Sequence, residues 1–278
     1  MVQGDAVVNK IIIFCGPGTA VILNNILAIY TKELIGINFV IVTPNTYKPN
    51  IEHLIEKYKI EITLDEDIEG FQEVSKWLDL RFKNKQKNNR AKGWYLQQYL
   101  KLAYCWTSKT PVFINDGDTI FSPVLLSKLL KKPELLTTRE SPKIYNAFLE
   151  KINIKGCEKS FVANGGLFYP SELINLNQNP AEWFIKSLDI CLKNHEDDCD
   201  FSEYQLMGSM LSSSLNKREL KLFRRFDLIK QCDSSTSSIK KIEKALNRYD
   251  SISYENFHKK SRVKKILIII AFAIGYSW

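Results

Sequence analysis

The sequence predicts an α/β fold built on a mostly parallel, mixed sheet flanked by helices. Three observations carry this. Residues 10–15, Lys-Ile-Ile-Ile-Phe-Cys, form a continuous β-branched run closed by Gly16-Pro17-Gly18, as expected of a strand buried on both faces. Strand-like and helix-like segments then alternate, the pattern of βαβ units. A later apolar run, Val112-Phe113-Ile114, ends in the acidic turn Asp116-Gly117-Asp118.

In chain order, Thr19 to Thr31 carries Val21, Ile22, Ile26 and Ile29 at helical spacing, with Thr19 as the candidate cap. A strand over Asn38–Thr43 stops at Pro44, a helix around Ile51–Tyr58 follows, and a third strand covers Lys59–Leu64. Gly16 and Gly18 lack the spacing of a dinucleotide fingerprint, and a tight turn accounts for them. An amphipathic stretch with Phe71, Val74, Trp77, Leu78 and Phe82 leads into the polar run 83–90, read as a solvated loop, with a lid over an anionic ligand as the alternative. The next helix, from Gly93 to Tyr104, offers Leu96, Tyr99, Leu100 and Ala103 as a core face. Gln97, Gln98 and Lys101 fall elsewhere on its cylinder, suited to sugar hydroxyls and phosphate.

The chain has 278 residues, 45% hydrophobic and 25% charged, with a net charge of +8. That composition supports one large domain, or one domain with a tail. The positive balance suits phosphorylated ligands or an anionic membrane surface. No aromatic-rich basic repeat occurs, so nucleic acid is not an expected partner. Six dispersed cysteines and the lack of a secretory signal lead to the expectation of a reduced cytoplasmic setting. Cys191, His195 and Cys199 recur every four residues, but without a fourth thiolate or imidazole no structural zinc is expected.

Asp116 and Asp118 are the candidate chemical centre. Pro111 opens their strand where no ladder donor is needed, and Gly117 permits a sharp turn at the carboxyl edge of the sheet, where open α/β sheets bind ligands. Two carboxylates this close repel unless a cation sits between them, and a hard divalent ion fits their oxygens. A plain acidic turn is the competing explanation. Further on, Ser160-Phe161-Val162-Ala163 reads as a strand, and Asn164-Gly165-Gly166 as either a close approach to a ligand or a hairpin turn. Trp183, Phe184, Leu188 and Ile190 suit a packed helix. Glu203 sits among Phe201, Tyr204, Leu206 and Met207, so its carboxylate is expected at a pocket wall with a raised pKa, as a general base, a capping partner or an acceptor-binding group.

Arg90-x-x-Gly93-Trp94-Tyr95-Leu96-Gln97-Gln98, followed by Phe113-Ile114-Asn115-Asp116-Gly117-Asp118-Thr119, resembles small bacterial glycosyltransferases of GT-A architecture. Asn164-Gly165-Gly166-Leu167-Phe168 is similar to that family's Asn-x-Gly loop under the donor sugar. Phe201-Ser202-Glu203-Tyr204-Gln205-Leu206-Met207-Gly208 is similar to its Ser-Glu-Tyr-Glu-Leu-Tyr-Gly segment, with Gln205 and Met207 departing from Glu and Tyr. The resemblance covers about residues 90–260. It implies a Rossmann-like GT-A fold and a Mn2+ or Mg2+ ion on Asp116 and Asp118, joined by His258. It also implies donor contacts from Arg90, Trp94, Gln97, Gln98, Lys101, Asp116, Asn164, Gly165 and Gly166, and catalytic roles for Glu203 and Asp118. The expected substrates are a nucleotide-sugar donor, UDP-sugar favoured, and a glycan or lipid-linked acceptor of the lipopolysaccharide, O-antigen or capsule type.

The expected organisation is a glycosyltransferase domain over residues 1–258, divided into a nucleotide-binding half at 1–110 and a metal, donor-sugar and acceptor half at 111–258. A tail covers 259–278. Ser-Ser-Thr-Ser-Ser at 234–238 reads as a linker, and 249–258 as a short strand ending in His258. The tail joins basic residues to thirteen largely apolar ones, too short for the roughly 20 that span a bilayer. It suits peripheral insertion at the inner face of the cytoplasmic membrane, with docking on the protein as the alternative. Two other classes compete. A haloacid-dehalogenase-type phosphatase would use the same aspartates, but there the glycine usually follows the second Asp and the motif usually ends the first strand. A membrane-associated scaffold would use the turn only structurally.

Overall fold

The computed structural model describes residues 8–83, 89–176, 179–192, 201–226 and 234–255. It opens with β1 (Lys10–Phe14), α1 (Ala20–Glu33), β2 (Asn38–Thr43), α2 (Glu52–Tyr58) and β3 (Glu61–Leu64). α3 (Phe71–Arg81) and α4 (Asn89–Thr107) lead to β4 (Val112–Asp116), β5 (Thr119–Phe121), α5 (Pro123–Lys131), β6 (Leu135–Thr137) and α6 (Lys143–Lys151). Then come β7 (Gly165–Phe168), α7 (Pro170–Ile174), α8 (Pro180–Leu192), α9 (Glu203–Leu211), β8 (Lys217–Glu219), β9 (Leu222–Phe226), α10 (Thr236–Leu246) and β10 (Ser251–Glu255).

Among the described residues the main sheet has the order β3-β2-β1-β4-β7. Its first four strands run parallel, and β7 pairs antiparallel with β4. Ile11, Ile12, Ile13, Val112, Phe113 and Ile114 are buried at its centre, as continuous apolar strands covered on both faces must be. The helices form two packed groups, one joining α1 to α2, α5 and α10, the other joining α4 to α3, α7, α8 and α9. A second sheet, β5-β10-β9, starts from the strand that leaves the Asp-Gly-Asp turn, and β6 pairs with β8.

Local chemistry departs from the sequence expectation at several points. Thr19 does not cap α1 through its side chain; its hydroxyl donates to the Gly16 carbonyl instead. Val21 and Ile190 are exposed, whereas Ile22, Ile26, Ile29, Trp183, Phe184 and Leu188 are core. Lys59 lies outside β3, in the left-handed conformation that ends α2. No strand forms over 160–163. The Phe161 amide is taken by the Gln205 side chain and Ser160 makes an isolated bridge to Thr138, so the strand beside β4 begins at Gly165. Residues 236–238 belong to α10, capped by Ser235, rather than to a linker.

Candidate active site

The turn after β4 is fixed from below. Phe14 of β1 is in register with Asp116, and the Gly117 amide donates to the Phe14 carbonyl at 2.8 Å. A Cβ on Gly117 would stand 2.5 Å from that oxygen, so only glycine lets the turn close against β1. Asn115, buried in an otherwise apolar strand, donates to the carbonyls of Asp116 at 2.6 Å and Thr119 at 2.8 Å. Tyr30 of α1 completes the support, donating to Asn115 Oδ1 at 3.1 Å and accepting from the Phe121 amide at 2.8 Å. Every polar group of this buried brace is paired, which makes it rigid.

The two aspartates are held differently. Asp118 accepts from the Thr119 hydroxyl at 3.2 Å, and its carbonyl accepts from the Tyr254 amide of β10. Thr119 also bonds Ser253, whose hydroxyl accepts from Asn164 Nδ2 at 2.9 Å. Asn164 has φ +57, the left-handed region that Asn tolerates, and its carbonyl accepts from the Asp116 amide. Ser253 thereby ties the aspartate turn to the Asn164 loop, a link between residues far apart in sequence.

Asp116 is 17% exposed and meets a buried group of charges. Lys101 Nζ lies 2.5 Å from Asp116 Oδ1 and 2.6 Å from Glu203 Oε1, with Lys101 and Glu203 at 1% and 0% exposure. The Tyr204 hydroxyl donates to the same Asp116 Oδ1 at 2.8 Å, and Lys101 Nζ stands 4.7 Å over the Tyr204 ring. Burial disfavours the Lys101 ammonium, but the carboxylates of Asp116 and Glu203 outweigh it and raise the amine's pKa. Burial pushes the Glu203 carboxyl up, Lys101 pulls it back, and Asp116 adds to the rise. Tyr204 is likewise raised, by burial and then by Asp116 and Glu203, so it stays a hydrogen-bond donor.

The structure brings Gln98, Lys101, Asp116, Asn164, Gly166, Glu203 and Tyr204 into one neighbourhood. Gln98 and Lys101 face inward, not away from the core; Gln98 accepts from the Glu203 amide at 3.2 Å. Glu203 is not at a pocket wall. It opens α9 after the Ser202 cap and points to Lys101, and its Oε2 is buried with no hydrogen-bond partner among the described residues. Gly165 and Gly166 lie within β7. The space left by Gly165 is filled by the Phe121 ring, 2.4 Å from where a Cβ would be, and Gly166 packs over Tyr204. Trp94 and Gln97 are half-buried on α4. Arg90 begins that helix with its side chain outside the described residues, as are His258, His195, Cys199, the run 84–88 and the tail 259–278. Cys191 is buried at the end of α8. Gln205 has a local role: its Nε2 donates to Asn146 Oδ1 at 2.9 Å and the Lys159 carbonyl at 3.1 Å, which a glutamate carboxylate could not do.

Asp116 and Asp118 supply hard oxygens. Among the described residues, the Lys101 and Tyr204 contacts to the Asp116 carboxylate both fall on Oδ1. This donor set fits a divalent ion that completes its shell from phosphate and water; no group of three or more His, Cys, Asp or Glu forms a metal cluster among the described residues. At the same edge, burial and then Glu66 raise Asp65 to about 7, burial raises Cys15 to about 12, and the Thr43 hydroxyl is buried without a hydrogen-bond partner among the described residues. The Gly16-Pro17-Gly18 turn beside them is open, with nothing within 4 Å of a Cβ at either glycine.

No family model and no curated protein matches the chain. Among solved structures it is similar to the WbbM bifunctional glycosyltransferase in its apo form, with a TM-score of 0.51 and 14% identity. That match covers 93% of this chain and 47% of WbbM, so the chain spans about half the length of that protein. Looser likenesses are mouse xyloside xylosyltransferase 1 in its apo form and glucosyl-3-phosphoglycerate synthase from Mycobacterium tuberculosis bound to Mn2+, UDP and glucosyl-3-phosphoglycerate. The first has a TM-score of 0.43 and 8% identity, covering 88% of this chain and 96% of that one. The second has 0.40 and 9%, covering 97% and 80%. The WbbM likeness bears on the fold alone, and with the sheet order it defines a GT-A, Rossmann-like α/β architecture.

Proposed function

We propose that this chain is a glycosyltransferase that moves a sugar from a nucleotide-diphosphate donor, a UDP-sugar favoured, to a hydroxyl of a glycan or lipid-linked acceptor. The observation that carries the reading is the Asp116-Gly117-Asp118 turn. Its carboxylates leave the carboxyl end of β4, where the sheet changes from parallel to antiparallel, in a fold shared with a glycosyltransferase. Asp118 and Asp116 would hold Mn2+ or Mg2+, with His258 as a further candidate ligand. When bound, such an ion supplies positive charge opposite a leaving diphosphate.

The chain's own residues frame the donor. The nucleotide is assigned to the crevice at the carboxyl ends of β1, β2 and β3, in the half covering 1–110, where the open glycine turn, Thr43 and Asp65 lie. Asn164 and Gly166 are placed under the sugar, and Trp94, Gln97 and Arg90 are assigned to its flank and to phosphate. The basic, apolar tail 259–278 supports peripheral attachment to the inner face of the cytoplasmic membrane. That location suits a lipopolysaccharide, O-antigen or capsule acceptor. No helix among the described residues is long and apolar enough to cross a membrane.

The test is release of UDP from a panel of UDP-sugars, with and without Mn2+, by wild type and Asp118→Ala. Mn2+-dependent release lost in the variant supports the reading; hydrolysis of simple phosphate esters by the same aspartates, without release from any nucleotide-sugar, would favour a phosphatase.

A further inference from the structure

A lysine and a glutamate with almost no exposure do not pair by accident, because each costs several kcal/mol to remove from water unless its charge is met. Lys101 spends its donors on two carboxylates, at 2.5 and 2.6 Å, and sits over the Tyr204 ring. Three elements converge on Asp116 Oδ1: α4 brings Lys101, α9 brings Glu203 and Tyr204 as neighbours, and β4 brings Asp116 itself. One oxygen of the carboxylate thus has two donors, the Lys101 ammonium and the Tyr204 hydroxyl. A carboxylate so gripped cannot rotate about its terminal torsion without breaking both bonds, so its other oxygen has one direction.

We propose that Lys101, Glu203 and Tyr204 form a buried clamp that positions Asp116 as a metal ligand, with Glu203 a positioning residue acting through Lys101 rather than a base in contact with the acceptor. The clamp rests on the metal reading of Asp116 and Asp118. Glu203 balances the ammonium, so that Lys101 can orient Asp116 without cancelling the negative charge a cation needs. The complete burial of Glu203 agrees with this: a base must reach its substrate within hydrogen-bond distance, whereas a positioning group need not.

The experiment is titration of the full chain with Mn2+ alone, followed by electron paramagnetic resonance of the free ion, on wild type, Tyr204→Phe and the double variant Lys101→Met/Glu203→Gln. The double variant removes one positive and one negative charge together. Circular dichroism and thermal melting report folding of each. The clamp predicts that folded variants bind Mn2+ about tenfold more weakly, the low end of what loss of a ligand's supporting partner costs. Folded variants with wild-type Mn2+ affinity would overturn it, since a merely structural role would leave metal affinity unmoved. If the double variant does not fold, Tyr204→Phe, which loses one hydroxyl, decides by the same criterion. Wild type that binds no Mn2+ would overturn the metal reading itself, a result separate from failure of the clamp.

Discussion

Lys101→Met alone should destabilise the protein in a pH-dependent way. In the wild type, Glu203 is raised from 4.5 to about 7, by burial first and by Asp116 in part, with Lys101 opposing. Between these values the folded form binds a proton that the unfolded chain lacks. The group's contribution to stability is therefore full below about pH 4.5 and lost as the pH rises through about 7. Removing Lys101 takes away the group that lowers this pKa, so Glu203 moves further up. At about pH 8 the variant must bury a carboxylate without its counter-ion, or protonate it at a cost, and should lose about 3–5 kcal/mol. At about pH 5.5 protonation of Glu203 is favoured more than at about pH 8, so the loss should be smaller there. Urea unfolding followed by tryptophan fluorescence measures both, since Trp106 and Trp183 are buried. Equal losses at the two pH values, or a loss under about 1 kcal/mol at the higher one, would refute the reasoning.

Other substitutions probe the supports. Gly117→Ala places a Cβ 2.5 Å from the Phe14 carbonyl; it should cost about 1–3 kcal/mol in chemical denaturation and weaken Mn2+ binding as well. Gly165→Ala collides with Phe121, whereas Gly166→Ala meets Tyr204 at an ordinary 3.5 Å, so thermal melts should show the first clearly destabilised and the second close to wild type. Gln205→Glu sets a buried carboxylate against Asn146 Oδ1 and the Lys159 carbonyl, and a loss of at least about 2 kcal/mol is expected by urea unfolding. Ser253→Ala cuts the tie between Thr119 and Asn164; it should cost about 1 kcal/mol and lower donor affinity in calorimetry.

The strands of the parallel sheet were legible because they are short, continuous and β-branched: Asn38–Thr43 and the run from Lys10 match the structure within a residue. The position of the aspartate turn at the end of a buried strand was legible because an apolar run stops at Asp116-Gly117-Asp118. The partners of Asp116 were not. Lys101 reads from spacing as an outward-facing residue of an amphipathic helix, and only the packing of α9 against α4 turns it inward. Tyr204 reads as core beside Phe201 and Leu206, yet its hydroxyl reaches a carboxylate. One signal was present, since a buried strand of valine, phenylalanine and isoleucine has no reason to contain Asn115 unless its amide supports a turn. Ser253 and Asn164 meet across 89 residues of sequence, a distance no local pattern encodes. The strand expected over 160–163 failed because side chains claimed its backbone hydrogen bonds.

The central claim is a donor site organised by Asp116 and Asp118. Calorimetric titration with UDP and GDP, with and without Mn2+, on wild type and Asp118→Ala tests it most directly. The account predicts UDP binding that requires Mn2+ and is lost in the variant. A folded wild type that binds neither nucleotide under any metal condition would contradict it.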